Sequence, residues 1–249
     1  PPALGGSGGS TADAVDAIAR VARRSLTAAF VFWGQRTFIE YLLQSDNEAL
    51  RTRHLPALLS GELAGATGLS NAMKFLSGIE SLSIAASPAG EGWRLDGSLP
   101  WVTNLRRAGF AVAAAVEPTD GQPPAVVAFL SGTPGITRSE DLELLALRGS
   151  NTAAIRIEGV VSGAAELIHA DARSFLPRVR PAFLSLQCGM SIGLARACLA
   201  AAGASGSAVR AGLQSRIDAL EASLAHEIEQ LQAGLASGSG SVAGTHRDE

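Results

Sequence analysis

Leu95-Asp96-Gly97-Ser98-Leu99-Pro100-Trp101-Val102-Thr103-Asn104 is the stretch on which the architecture turns. An Asp-Gly pair is a turn signal, and the apolar and β-favouring residues around it read as strand. The same texture runs from residue 64 to about 168. Short apolar or alternating runs are predicted as strands at 82–86, 93–95, 110–116, 125–130 and 153–161. Between them stand Asp96-Gly97, Asp120-Gly121 and Gly132-Thr133-Pro134-Gly135. No helix-length periodic segment separates the runs. A parallel α/β fold is therefore excluded in favour of an antiparallel sheet domain.

On either side of this region the period changes from two to three and four. Val15, Ile18, Val21, Ala29, Phe32, Phe38 and Tyr41 mark helix between residues 12 and 43, with Ser10 or Thr11 as cap. A second helix is predicted over 46–59, with Pro56 as a break or kink and Gly61 as its end. Beyond Asp171 helices return over about 174–202 and 208–235, separated by a Gly-containing break at 203–206. In the last helix Val209, Leu213, Ile217, Leu220, Leu224, Ile228, Leu231 and Leu235 form a near-heptad seam that implies helix partners. The expected fold is α+β: an N-terminal helical segment (1–62), a central antiparallel β domain (63–170), a C-terminal helical segment (171–236) and a loose Gly/Ser tail (237–249).

Composition limits the function classes. The 249 residues are 47% hydrophobic and 17% charged, which excludes a disordered chain. A net charge of −3 gives no field that would draw the protein to nucleic acid or anionic lipid. No run of about 18 apolar residues marks a membrane span. Residues 1–10 lack the basic and apolar regions of a signal peptide, and the first residue is Pro rather than Met. Cys188 and Cys198, ten residues apart on one helix, fall on different faces. They are expected as buried thiols of a reducing, cytoplasmic compartment.

Candidate chemistry is sparse. His54, His169, His226 and His246 form no helical ligand pair, so no metal is expected. Gly189-Met190-Ser191-Ile192-Gly193 matches a nucleophile elbow if 182–187 is a strand. No parallel βαβ series or oxyanion loop surrounds it, and small residues for close helix packing are the better reading. Gly5-Gly6-Ser7-Gly8-Gly9 reads as a surface loop. Trp101 and Thr103, two residues apart, would share one face of a strand. A planar cofactor could lie there, with the indole stacking and the hydroxyl donating a hydrogen bond.

Several of these stretches together resemble the acyl-CoA dehydrogenase family. His54-Leu55-Pro56-Ala57-Leu58-Leu59-Ser60-Gly61-Glu62-Leu63-Ala64-Gly65-Ala66 is similar to that family's entry to the β domain. Asp96-Gly97 followed by Trp101-Val102-Thr103-Asn104 resembles its Trp-Ile-Thr-Asn segment. Leu147-Arg148-Gly149-Ser150-Asn151-Thr152 with 155–161 resembles the strand pair that closes the domain, and 193–199 the first helix of the C-terminal bundle. The Gly5–Ser10 loop resembles the one before a mid-domain helix. The resemblance covers residues 1 to about 205, in the family's own order.

The resemblance implies a flavin, FAD or alternatively FMN, between the β domain and the C-terminal helices. Trp101 would pack on its ring system and Thr103 would bond near N5. Leu69 and Ser70 match the positions at the pyrimidine edge. It implies hydride transfer from an acyl-CoA-type substrate in fatty acid metabolism, a homodimer or homotetramer, and an electron acceptor protein. The family's Thr-Glu-Pro-x-x-Gly-Ser-Asp is replaced by Ser70-Asn71-Ala72-Met73-Lys74-Phe75-Leu76-Ser77-Gly78, which leaves Ser77 as the stand-in for its substrate-side serine. Its Arg-x-x-Phe-Gly is matched poorly by Arg210-Ala211-Gly212-Leu213. Helices of the family are missing at both ends, including the region that usually supplies the base. Glu221, Glu227 and Glu229 read as solvated or interhelical charges, so the catalytic base is unassigned. A reduced-flavin monooxygenase on the same fold and a non-catalytic homologue are the alternatives.

Overall fold

The computed structural model describes residues 2–204 and 208–237, with the side chains of 203–213 and 236 left aside. Three helices come first: α1 (Thr11–Ala22), α2 (Leu26–Leu43) and α3 (Glu48–Ser60). Ser10 caps α1 through a reciprocal box. Its hydroxyl accepts from the Asp13 N–H, and the Asp13 carboxylate accepts from the Ser10 N–H at 2.8 Å. The helical stretch from 12 to 43 is thus two helices, parted at 23–25. Asn47 caps α3, and Gly61, at φ +80°, ends it in the left-handed conformation. Pro56 lies inside α3 without breaking it. Its ring sits on the exposed face, where the carbonyl it leaves unpaired can meet water.

Eight strands and one short helix follow. They are β1 (Ala64–Thr67), α4 (Ser70–Leu76), β2 (Ile84–Ala89), β3 (Gly92–Val102), β4 (Phe110–Pro118), β5 (Ala125–Leu130), β6 (Ile136–Arg138), β7 (Ala153–Ser162) and β8 (Leu167–His169). The sheet order is β6-β7-β3-β2-β4-β5-β8, with β1 attached to β4. Most pairs are antiparallel, but β1 and β2 both meet β4 in parallel. One face is filled by Ile84, Leu95, Leu99, Val102, Phe110, Val112, Phe129, Ile155 and Ile157. The sequence missed β1, β6, β8 and α4, which are three to seven residues long and carry no full period.

Asp96-Gly97 is no turn. It lies inside β3, which pairs with β2 on one side and with β7 on the other. Gly97 (φ +155°) marks a bulge where β3 shifts register against β7, and a Cβ there would overlap the Ser83 carbonyl oxygen. The turn residues of this pair are instead Gly90 and Glu91, between β2 and β3.

α5 (Ala172–Ala204) and α6 (Ala208–Ala236) complete the chain. α5 is long and apolar enough to cross a membrane by length and composition. Its Phe175, Leu176, Val179, Phe183 and Leu186 are buried within the protein, as in a core helix. Cys188 and Cys198 are both free and exposed, contrary to the burial expected for them. On a helix with only one covered stripe, apolar character does not decide which residues face inward. Along the α6 seam Ile217 and Ile228 are buried, whereas Leu220 is exposed; Val209 and Leu213 fall outside the described side chains.

The chain forms two compact units that cut across the expected segments. One comprises residues 1–8 and 30–180, and so joins α3 and most of α2 to the sheet. The other comprises 9–29 and 181–249. Within the second, Gly189 and Gly193 let α5 approach α1. A Cβ on Gly189 would stand 2.8 Å from the Val15 carbonyl oxygen. The stretch 182–187 is helical rather than strand, so Ser191 sits on a helix and makes no elbow.

Candidate functional site

Two motifs about fifty residues apart in sequence are brought together where β3 ends and β7 begins. Val102 pairs with Ala153. The Asn104 N–H donates to the Ser150 carbonyl and the Leu105 N–H to that of Asn151, both at 3.0 Å. Neither segment could make these bonds as a regular strand. Asn104 (φ +66°), Leu147 (φ +63°), Gly149 (φ +80°) and Asn151 (φ +51°) are all left-handed, so each chain folds back against the other. Two of the three non-glycine residues are Asn, the type that tolerates this region best.

Trp101 is 67% exposed, an unusual position for an indole. Thr103 is 5% exposed. The strand stops at Val102, so the two-residue alternation expected to put both on one face does not run through Thr103. Thr103 Oγ1 lies 3.0 Å from Thr152 Oγ1, and Thr152 Oγ1 lies 2.7 Å from Ser150 Oγ. An exposed planar ring thus stands two residues before the end of a buried row of hydroxyls.

Asn104 supports this corner. Its amide donates to Gln35 Oε1 and to the Gly65 carbonyl, both at 2.9 Å. Gln35 Oε1 also accepts from the Gly65 N–H at 2.7 Å, while its Nε2 donates to the Leu58 and Leu63 carbonyls. One amide on α2 and one after β3 therefore clamp β1 in place. The sequence contained both residues but offered no means of pairing Gln35 with a partner 69 positions away.

Leu69 and Ser70 follow β1. Gly68 is packed so tightly that a Cβ would lie 2.7 Å from a Leu99 methyl, two residues before Trp101, and 2.8 Å from the Ala113 carbonyl oxygen. This fixes the loop beside β3. Leu69 is fully buried, and its N–H turns inward to Thr67 Oγ1 at 3.3 Å. Thr67 Oγ1 in turn meets the buried Tyr41 hydroxyl at 2.8 Å, and burial raises Tyr41 well above the ordinary phenol range. The inward N–H removes one main-chain group of Leu69 from any ligand contact. Ser70 is exposed and opens α4.

Ser77 is the far cap of α4, exposed, with its hydroxyl 3.4 Å from the Met73 carbonyl. No hydrogen bond joins it to Trp101, Thr103 or Ser70. The segment that replaces the acidic, proline-containing loop is thus a helix, a conformation that a proline within it would oppose. α4 is tied down by Glu80, which accepts from Lys74 at 2.6 Å and from the Asn71 amide at 3.0 Å. These partners, Lys74 first, hold the Glu80 carboxyl below its ordinary value. Its stabilising contribution is therefore present above the ordinary glutamate pKa and lost as the pH falls through the lowered one. Glu80→Gln is expected to lower the protection of amides in residues 70–81, taken relative to their intrinsic exchange rates, at neutral pH and to abolish the acid dependence of that protection. Exchange equal to wild type at every pH would refute the anchor.

Glu221, Glu227 and Glu229 are all exposed on α6. Among the described residues no group of three or more His, Cys, Asp or Glu side chains is placed to hold a metal ion. The donor set at the β3 end fits a planar heteroaromatic group, with an exposed indole for the ring and a hydroxyl for its edge.

No family model matches the chain. It is 29% identical over 173 residues to mitochondrial isovaleryl-CoA dehydrogenase of Pongo abelii, covering 68% of this chain and 41% of that protein. The chain thus spans about two fifths of that relative's length. Butyryl-CoA dehydrogenase from Megasphaera elsdenii superposes with a TM-score of 0.75 at 21% identity, over 95% of this chain and 65% of that one. Dibenzothiophene monooxygenase (TdsC) from Paenibacillus sp. A11-2, in its complex with FMN and indole, superposes with a TM-score of 0.71 at 16% identity, over 93% of this chain and 65% of that one. The chain is thus similar in sequence to an acyl-CoA dehydrogenase over about two thirds of its length, and similar in fold to another over nearly all of it.

Proposed function

We propose that this chain is the flavin-holding part of an acyl-CoA dehydrogenase-like oxidoreductase that takes FAD, with FMN as the alternative. The observation that carries the reading is the exposed Trp101 indole two residues before the buried Thr103 hydroxyl row, on a chain similar in sequence to acyl-CoA dehydrogenases. When bound, the flavin would supply the hydride acceptor for α,β-dehydrogenation of an acyl thioester. Trp101 would cover the ring, and Thr103 would hydrogen-bond its edge. Leu69 and Ser70 would hold the pyrimidine side, with Ser70 offering its hydroxyl and Leu69 shaping the loop from within. Ser77 would contact an acyl-CoA-type substrate at the far end of α4. The α6 seam, with Leu220 uncovered, suits a homodimer or homotetramer, and an electron acceptor protein would complete turnover. The free thiols suit a reducing, cytoplasmic setting.

A flavin absorbance band in the purified protein, or its appearance on titration with FAD, is the expected result. Anaerobic bleaching of that band by an acyl-CoA is expected next. Trp101→Ala is expected to weaken FAD binding about fivefold, since a stacked ring contributes about 1 kcal/mol. A protein that takes up no flavin would overturn the proposal. A second reading draws on α4, which lacks the carboxylates of the family loop, and on the likeness to a monooxygenase fold. In that case an acyl-CoA would fail to bleach the flavin, while supplied reduced flavin would give oxygen-dependent product.

A further inference from the structure

α6 carries a stripe whose two halves complement each other. Arg216, Leu220, Ser223 and Glu227 are spaced four, three and four residues apart, so they fall within about 60° of one another around the helix. Leu220 is 60% exposed, and Arg216, Ser223 and Glu227 are exposed with it. The buried residues Ile217 and Ile228 lie about a quarter turn away, so the stripe is on a side of α6 that its own chain leaves open. Among the described residues neither Arg216 nor Glu227 has a salt-bridge partner. Along the stripe the order is cation, large apolar group, small group, anion.

We infer that this stripe pairs antiparallel with the same stripe of a second copy of the chain, with Arg216 on Glu227 and Leu220 over Ser223. The inference rests on the homo-oligomer reading above and adds the contact face, its direction and its register. A two-fold axis across α6, midway between Leu220 and Ser223, brings each of the four residues onto its complement, and does so twice. The leucine then meets a small side chain that leaves it room, and each charge meets its opposite. A parallel pair in register would set Arg216 on Arg216 and Glu227 on Glu227, and a slip of one turn would part the charges from their partners. An unrelated partner would have to reproduce this order on its own surface, whereas a second copy carries it already. Exposed ion pairs add little affinity, so their part is to choose direction and register.

The test is sedimentation equilibrium of the purified full chain. Arg216→Glu and Glu227→Arg each turn both attractions between the copies into repulsions, and each is expected to weaken the association about tenfold. Both substitutions on one chain restore the attraction with its sign reversed and are expected to return the wild-type constant. An equimolar mixture of the two single variants is expected to form a mixed assembly of wild-type affinity, because every charge again faces its opposite. Leu220→Ala is expected to weaken the association about tenfold as well, since two leucines lose their cover. All three positions are exposed, so each variant keeps its fold, which circular dichroism checks. A wild type that is monomeric throughout overturns the homo-oligomer reading and this inference with it. A wild type that associates, with a constant unmoved by the single reversals or not restored by the double one, overturns the inference alone. Neither outcome depends on flavin uptake, which tests the cofactor reading separately.

Discussion

Gly193→Ala is expected to destabilise the protein by about 3 kcal/mol, although alanine is the better helix former by about 1 kcal/mol. The sign follows from what surrounds the position. A Cβ on Gly193 would stand 2.5 Å from the Ala22 Cβ and closer still to the Ala19 carbonyl oxygen. Backbone atoms of α1 cannot yield as a flexible side chain can, so the two helices must separate. The buried apolar groups at Val15, Ile18, Ala19 and Ile192 would then lose contacts. Gly234→Ala on α6 is the control. Nothing lies within 4 Å of its added Cβ, so only helix propensity acts, and the variant is expected to be neutral or slightly stabilised. Urea unfolding of both variants checks the pair. A stabilised Gly193→Ala would refute the close packing of α1 on α5 and reopen the question of what Gly189 and Gly193 are for.

The second large effect is at Asn104. Asn104→Ala is expected to cost about 3 kcal/mol, as the sum of a left-handed backbone penalty of about 1 kcal/mol and an unsatisfied buried carbonyl at Gly65. Asn104→Gly separates the two contributions. It removes the amide but welcomes φ +66°, so it is expected to lose only about 2 kcal/mol. Asn104→Asp is expected to be worse than either, because it presents an acceptor to two acceptors, Gln35 Oε1 and the Gly65 carbonyl. On the proposed function, flavin uptake falls in the same order, since Thr103 is the adjacent residue. Equal stability of the glycine and aspartate variants would remove the amide from its assigned role.

The course of the sequence reading shows which signals are local. Ser10, one of the two cap candidates, and Gly61 placed helix ends correctly, because a cap is satisfied by atoms within a few residues. The long apolar runs at 110–116 and 125–130 placed β4 and β5 for the same reason. Asp96-Gly97 misled, because a glycine that suits a turn also suits a bulge under a neighbouring carbonyl, and only the partner strand distinguishes them. The buried cysteines failed similarly. A thiol is apolar enough for either environment, and α5 has too little amphipathic contrast to assign its faces from composition.

The sequence by itself therefore determined the order helical, β, helical, the existence of the longer elements, and the motifs that resemble those of a flavoenzyme family. These rest on periodicity and short-range bonds. Only the tertiary structure decided that residues 102–105 lie against 150–153, that Gln35 meets Asn104, and that three hydroxyls from two strand ends form one row. The reason is that a hydrogen bond between residues 49 or 69 positions apart leaves no periodic trace in the chain. It depends on strand register and on left-handed corners whose position is set by everything packed around them.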